Sequence, residues 1–248
     1  MDPLASTRVS LAWPPHPATE DCDVLVISGR SGFFLDVRVK RAAGGGAEVE
    51  QGDSEATEPV VDWATAGWKK LLPLVEGEKH PKASFTAVID SRSPRFSSTS
   101  SSSSLPAQPE NSPPDEGSFE TLSNGDVLER GEMLNPKTNK VQPYEEVWRR
   151  LPLVPEEDEE TVWVLVMEVE DEHGRAFVGQ VGDYQLALND GPGGFGIAWR
   201  EKRDGQWEVV HQNKAGKDLP SIAHVPQCVE EGHYVTLEGR RWRVVEAS

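Results

Sequence analysis

Three residues near the C-terminal end, His224, Cys228 and His233, are close enough in sequence to be considered as metal ligands. Zinc sites, however, recur with short fixed ligand spacings and a fourth ligand from protein or solvent. This trio matches none of those spacings and has no evident fourth member, so no metal is expected. Asp190-Gly-Pro-Gly-Gly-Phe-Gly196 has the glycine content of a phosphate-cradling loop. Such a loop works by leading into a helix whose first amides face the anion. Here Phe195, Ile197 and Trp199 alternate instead, which predicts a hairpin or barrel-mouth loop running into a strand. With 42 Asp and Glu in the chain, a pair at acid–base distance could meet across a sheet, yet the linear sequence names no such pair. No Gly-x-Ser-x-Gly elbow is present, and Gly29-Arg-Ser-Gly32 falls between two strand patterns. No enzyme activity, catalytic residue or cofactor is expected from these groupings.

Two further sets of residues invite a binding or regulatory role. Trp63, Trp68, Trp199, Trp207 and Trp242 lie on or near strand patterns, where an indole can line a cavity and stack on an apolar ligand. The alternative is that they fill the interior themselves, as side chains do in most small barrels. Ser100, Ser101, Ser102, Ser103, Ser104 and Ser112 form an exposed-looking tract in which each phosphate would add close to two negative charges. A plain linker is the other reading of that tract.

The elements that must carry these residues are strands. Asp23 to Ser28 and Phe33 to Lys40 flank a Gly-containing turn, and Leu35, Val37 and Val39 alternate with Asp36, Arg38 and Lys40, predicting a hairpin with one wet face. Ala42 to Glu58 reads as a loop. Val60 to Trp68 and Ala83 to Asp90 predict two more strands, and Phe119 to Leu134 resumes the pattern around Asn124-Gly125. Between them, 91–117 is Ser- and Pro-rich and predicts a disordered insertion within the first domain. In 143–151, Tyr144, Val147, Trp148 and Leu151 fall on one helical face behind Pro143, predicting a short capping helix. Acidic, Pro-containing 152–160 reads as a boundary, giving domains 1–153 and 154–248. Beyond it come a long strand from Thr161 to Glu170, short strands at 176–181 and 184–188, and hairpins around Arg203-Asp-Gly205 and Glu238-Gly239. The expectation is a mainly β chain of two consecutive antiparallel β-barrel domains, with almost no helical periodicity to cover a parallel sheet.

Composition limits the partners. A formal charge of −17 over 248 residues repels phosphate backbones and anionic lipid, so neither nucleic acid nor a membrane surface is an expected partner. Lys69, Lys70 and the Arg149-Arg150 and Arg240-Arg241 pairs are too short to reverse this and read as solvated surface. Two cysteines, Cys22 and Cys228, at opposite ends predict reduced thiols rather than a disulfide framework. Met1 to Pro17 has no uninterrupted apolar run, and no stretch is long enough for a membrane span.

Several segments occur in an order that resembles a known family. They are Val61-Asp-Trp-Ala-Thr-Ala-Gly67, Gly125 to Arg130 leading to Tyr144-Glu-Glu-Val-Trp148, Gly194 to Gly205, and Glu231-Gly232 to Trp242-Arg-Val-Val-Glu246. Together they resemble the fungal Hri family, named for interaction with a casein kinase I. That resemblance implies two similar lipocalin-like barrels, a cytoplasmic and nuclear location, and a casein kinase I as partner. It brings no catalytic residues to transfer. The leading expectation is therefore a non-enzymatic interaction protein that binds a casein kinase I. The first alternative is a carrier of a small apolar ligand in a barrel cavity, and the second is a carboxylate-based barrel enzyme. An aromatic-lined cavity of roughly 300 Å³ or more would favour the carrier.

Overall fold

Alternation with a period of two places each strand residue on one of two faces, and in this chain both faces are put to use. The computed structural model describes residues 1–42, 58–95, 115–153 and 162–248. Eight antiparallel strands close into a barrel in chain order: β1 (Leu4–Ala12), β2 (Cys22–Ser28), β3 (Phe33–Lys40), β4 (Val61–Leu72), β5 (Lys82–Asp90), β6 (Asp115–Thr121), β7 (Val127–Asn135) and β8 (Lys140–Arg150). Closure comes from β8 pairing with β1, which removes both sheet edges.

The second half forms a seven-stranded antiparallel sheet. Its strands are β9 (Val164–Asp171), β10 (Gly174–Val181), β11 (Tyr184–Gly191), β12 (Gly194–Arg203), β13 (Gln206–Gln212), β14 (Tyr234–Leu237) and β15 (Arg240–Ala247), in the order 13-12-11-10-9-15-14. The tight turns expected from Asp-Gly and Glu-Gly are present. Asp204 and Gly205 take φ of 50° and 79°, the left-handed pair that a two-residue hairpin turn needs. Asp190 to Gly196 is likewise a hairpin between β11 and β12, not a phosphate loop.

The main apolar core lies between the barrel and this sheet. Leu25 and Ile27 from β2, Phe33, Leu35, Val37 and Val39 from β3, and Ala64 and Ala66 from β4 point outward from the barrel. They meet Val164, Val166, Phe177, Leu186, Leu188 and Ile197, all buried. Gly179 on β10 allows the close approach, since a Cβ there would stand 2.8 Å from Leu35 Cδ1. Each such fully buried large side chain contributes about 1.5–3 kcal/mol, so the seam between the halves is a major source of stability.

The other face of the sheet is also filled. Leu165, Met167, Val178, Ala187, Trp242 and Val244 pack under Leu219, Ile222 and Val225 from the connection after β13. The chain is thus mainly β, with one closed barrel and a second sheet whose inner face is plugged by its own connection.

One expectation is corrected. Residues 143–151 are not a helix: β8 runs Lys140–Arg150, pairing with β7 on one side and β1 on the other. The apolar spacing there imitated a helical stripe because Glu146, which faces inward between Tyr144 and Trp148, is charged and breaks the expected alternation. Leu4–Ala12, assigned no element from sequence, is the strand that closes the barrel. Most of the predicted loop 42–58, of the boundary segment 152–160 and of the Ser/Pro-rich insertion, and all six candidate phosphorylation serines, lie outside the described residues.

Candidate functional site

Among the described residues, the inward faces of β1 to β8 do not fill the barrel. They border an open-sided cavity of about 880 Å³, whose wall also includes Ser93, Arg95 and Asp190 and whose size is well within the range of small-molecule sites. Strand register sorts its wall into two ends. Arg38 pairs opposite Trp63, whereas Phe33 pairs opposite Trp68 at the far end of the same two strands, next to the inward-facing Phe34 and Lys69.

At the first end sits a buried charge network. Arg8 donates to Glu20 and, at 2.6 Å, to Glu146; Arg38 donates to the same Glu146 oxygen at 2.8 Å and to both oxygens of Asp36. Arg8, Asp36, Arg38 and Glu146 are all buried. Burial alone would favour the neutral guanidine at Arg38, but Asp36 and Glu146 outweigh it and hold the charge. Its guanidinium also lies 4.5 Å from the centre of the Trp63 ring and 5.6 Å from that of Trp148. Trp63 is fixed in turn by an indole hydrogen bond to Asp90 at 2.9 Å.

Mid-barrel, Glu129 accepts hydrogen bonds from the Tyr144 hydroxyl and the Trp148 indole, both at 2.8 Å. Among the described residues it has two neutral donors and no ion pair. Burial, with Glu146 nearby, pushes its carboxyl up to about 7. Gly117 and Gly131 make room for this pair: a Cβ at Gly117 would stand 2.6 Å from the Glu129 carboxylate, and one at Gly131 would stand 2.8 Å from the Tyr144 ring. Asp115 also lines the cavity, and among the described residues its buried Oδ1 finds no donor. Burial, aided by Glu146, raises it to about 6.

The other end is aromatic. Phe34, Phe85 and Phe119 form a chain of ring contacts, with centroids 5.7 Å and 6.3 Å apart. Lys69 reaches over it, its ammonium 5.5 Å from the Phe85 ring and 4.7 Å from the Phe119 ring. Burial holds Lys69 below the ordinary lysine range, despite the opposing pull of Glu129.

Of the five tryptophans singled out from sequence, Trp63 lines this cavity. Trp68 lies on the opposite face of β4, packed edge-on against Phe33 and 41% exposed. Trp199 is buried in the seam between barrel and sheet. Trp242 fills the inner face of the second sheet, and Trp207 sits on β13 away from the cavity. Sequence reasoning did not place Trp148, Glu129, Asp115 or Lys69 in a cavity: each of Glu129, Asp115 and Lys69 is a single charged residue on the inward face of its strand, and such a residue reads as solvent-facing until closure of the sheet is known. His224, Cys228 and His233 do not form a ligand group. Among the described residues one such cluster exists, Glu20, Asp21 and Cys22, and its carboxylates are already paired with Arg8 and Lys40.

No match is found among curated proteins. Over the full length of both chains, the structure resembles the crystal structure of the uncharacterised protein YLR301w from Saccharomyces cerevisiae, with a TM-score of 0.70 and 18% identity, a likeness of fold alone. Residues 4–246 match the family described as Protein HRI1, nearly the whole chain, and the chain belongs to that family.

Proposed function

We propose that the chain is a non-enzymatic small-ligand carrier, taking up one molecule inside its first barrel in the manner of a lipocalin. The single observation that supports this is the contrast between two interiors: the sheet of the second half is plugged by its own residues, while the barrel keeps about 880 Å³ free. Small barrels are ordinarily filled by their own side chains, so an interior left open and lined by polar and aromatic groups is the arrangement of a ligand site. Asp36 and Glu146 are committed to arginines and Asp90 to the Trp63 indole, whereas Asp115 and Asp190 each present a buried oxygen that no hydrogen bond engages among the described residues, and Glu129 has only neutral donors. Association with a casein kinase I, and residence in cytoplasm and nucleus, rest on the family resemblance and are proposals of a separate kind.

Native mass spectrometry of gently purified full-length protein tests the carrier reading. The expected spectrum shows one noncovalently bound small molecule per chain, lost in Val26→Trp, whose indole would project into the cavity from β2. A bare mass for the unaltered protein, or equal occupancy in Val26→Trp with its fold intact, sinks it.

A further inference from the structure

Lys69 is placed in a way that ordinary packing does not explain. Lysines on strands usually extend to solvent or meet a carboxylate. This one turns into the cavity, and among the described residues no hydrogen bond or ion pair engages its nitrogen, which lies over the rings of Phe85 and Phe119. The charged groups that face it are Glu129 on β7, which favours its charge, and Arg150 on β8, which opposes it. An amine without an acid partner, set against aromatic rings in a cavity large enough for an organic guest, is the arrangement in which a lysine becomes a nucleophile.

We propose that Lys69 is a covalent capture site, forming a reversible imine with an aldehyde or ketone carried on an apolar, ring- or chain-bearing ligand. This rests on the carrier reading of the same cavity and adds the reactive group of the guest. In the step, the neutral Nζ bonds to the carbonyl carbon, and the oxygen leaves as water together with both amine hydrogens, giving C=N. Hydrolysis reverses it, so no oxidant or reductant is consumed. Protonation of the imine restores a cation where the ammonium stood. The ring faces of Phe85 and Phe119 and the field of Glu129 then serve the iminium as they served the amine. Burial lowers the affinity of Lys69 for its proton and so enlarges the neutral fraction at neutral pH relative to surface lysines.

The test uses the full chain, trans-cinnamaldehyde as probe and sodium cyanoborohydride to trap the imine, followed by peptide mapping. Lys69 should be modified at least about tenfold faster than any surface lysine. Lys69→Arg, which keeps the cation over the rings, should lose that adduct while retaining the wild-type melting temperature. In parallel, cinnamyl alcohol is titrated against the quenching of tryptophan emission. Saturable binding of the alcohol without preferential trapping at Lys69 overturns the covalent site and leaves the carrier reading standing. Neither binding nor trapping overturns both.

Discussion

Replacing Arg38 with Met will lower the stability of the folded chain by about 3–5 kcal/mol, the range seen when one member of a buried ion network is removed. Methionine keeps most of the volume, so the loss is electrostatic rather than a packing defect. Arg38 alone joins Asp36 to Glu146, and with it gone Asp36 loses its cation while Glu146 keeps only Arg8. Both carboxylates face an interior that already holds Glu129 and Asp115. Urea denaturation at neutral pH measures the effect. A double-mutant cycle identifies its cause: Asp36→Asn introduced into the Arg38→Met background should recover a substantial part of the loss, because the orphaned charge is removed. A loss below about 1 kcal/mol, or no recovery in the cycle, would mean that water reaches this end of the barrel freely and that the network is not desolvated.

The second large effect separates the two interiors. Trp242→Ala should cost about 3–5 kcal/mol, since its ring is fully buried under Leu219, Ile222 and Val225 and nothing nearby can refill the space. Trp148→Ala should cost only about 1–2 kcal/mol. Its indole is half-buried against a space that solvent can occupy, and water can replace the hydrogen bond it donates to Glu129. Thermal or urea unfolding of the two variants side by side checks the ranking. Equal costs would imply that the first barrel is as tightly filled as the second sheet.

These two sites also show where the sequence was legible. Hairpins were read well because turn chemistry is local: Asp204-Gly205 and Glu238-Gly239 fall between strands where expected, and β2 and β3 flank the predicted turn almost residue for residue. The alternation in Phe33 to Lys40 was also seen correctly, but its polar face was assigned to solvent. Asp36 and Arg38 instead point into the barrel, where they are buried against one another. A period-two pattern reports that a strand has two unlike faces and is silent on which side is enclosed. The same ambiguity explains β8, where an inward glutamate between Tyr144 and Trp148 breaks the apolar alternation, and the apolar residues that remain imitate a helical stripe. Charge networks such as Arg8–Glu146 join residues 138 apart in sequence, and only closure of the sheet brings them together. Tryptophan counting failed for a related reason: whether an indole fills a core or borders a void depends on what the facing strands contribute.

The central claim, that a guest enters the first barrel and not the second sheet, is tested most directly by following the indole N–H signals of the eight tryptophans in an NMR titration with cinnamyl alcohol. The prediction is a saturable shift of the Trp63 and Trp148 signals, with those of Trp199 and Trp242 unmoved. Shifts at Trp199 or Trp242 with Trp63 and Trp148 silent, or no shift at any indole, would contradict it.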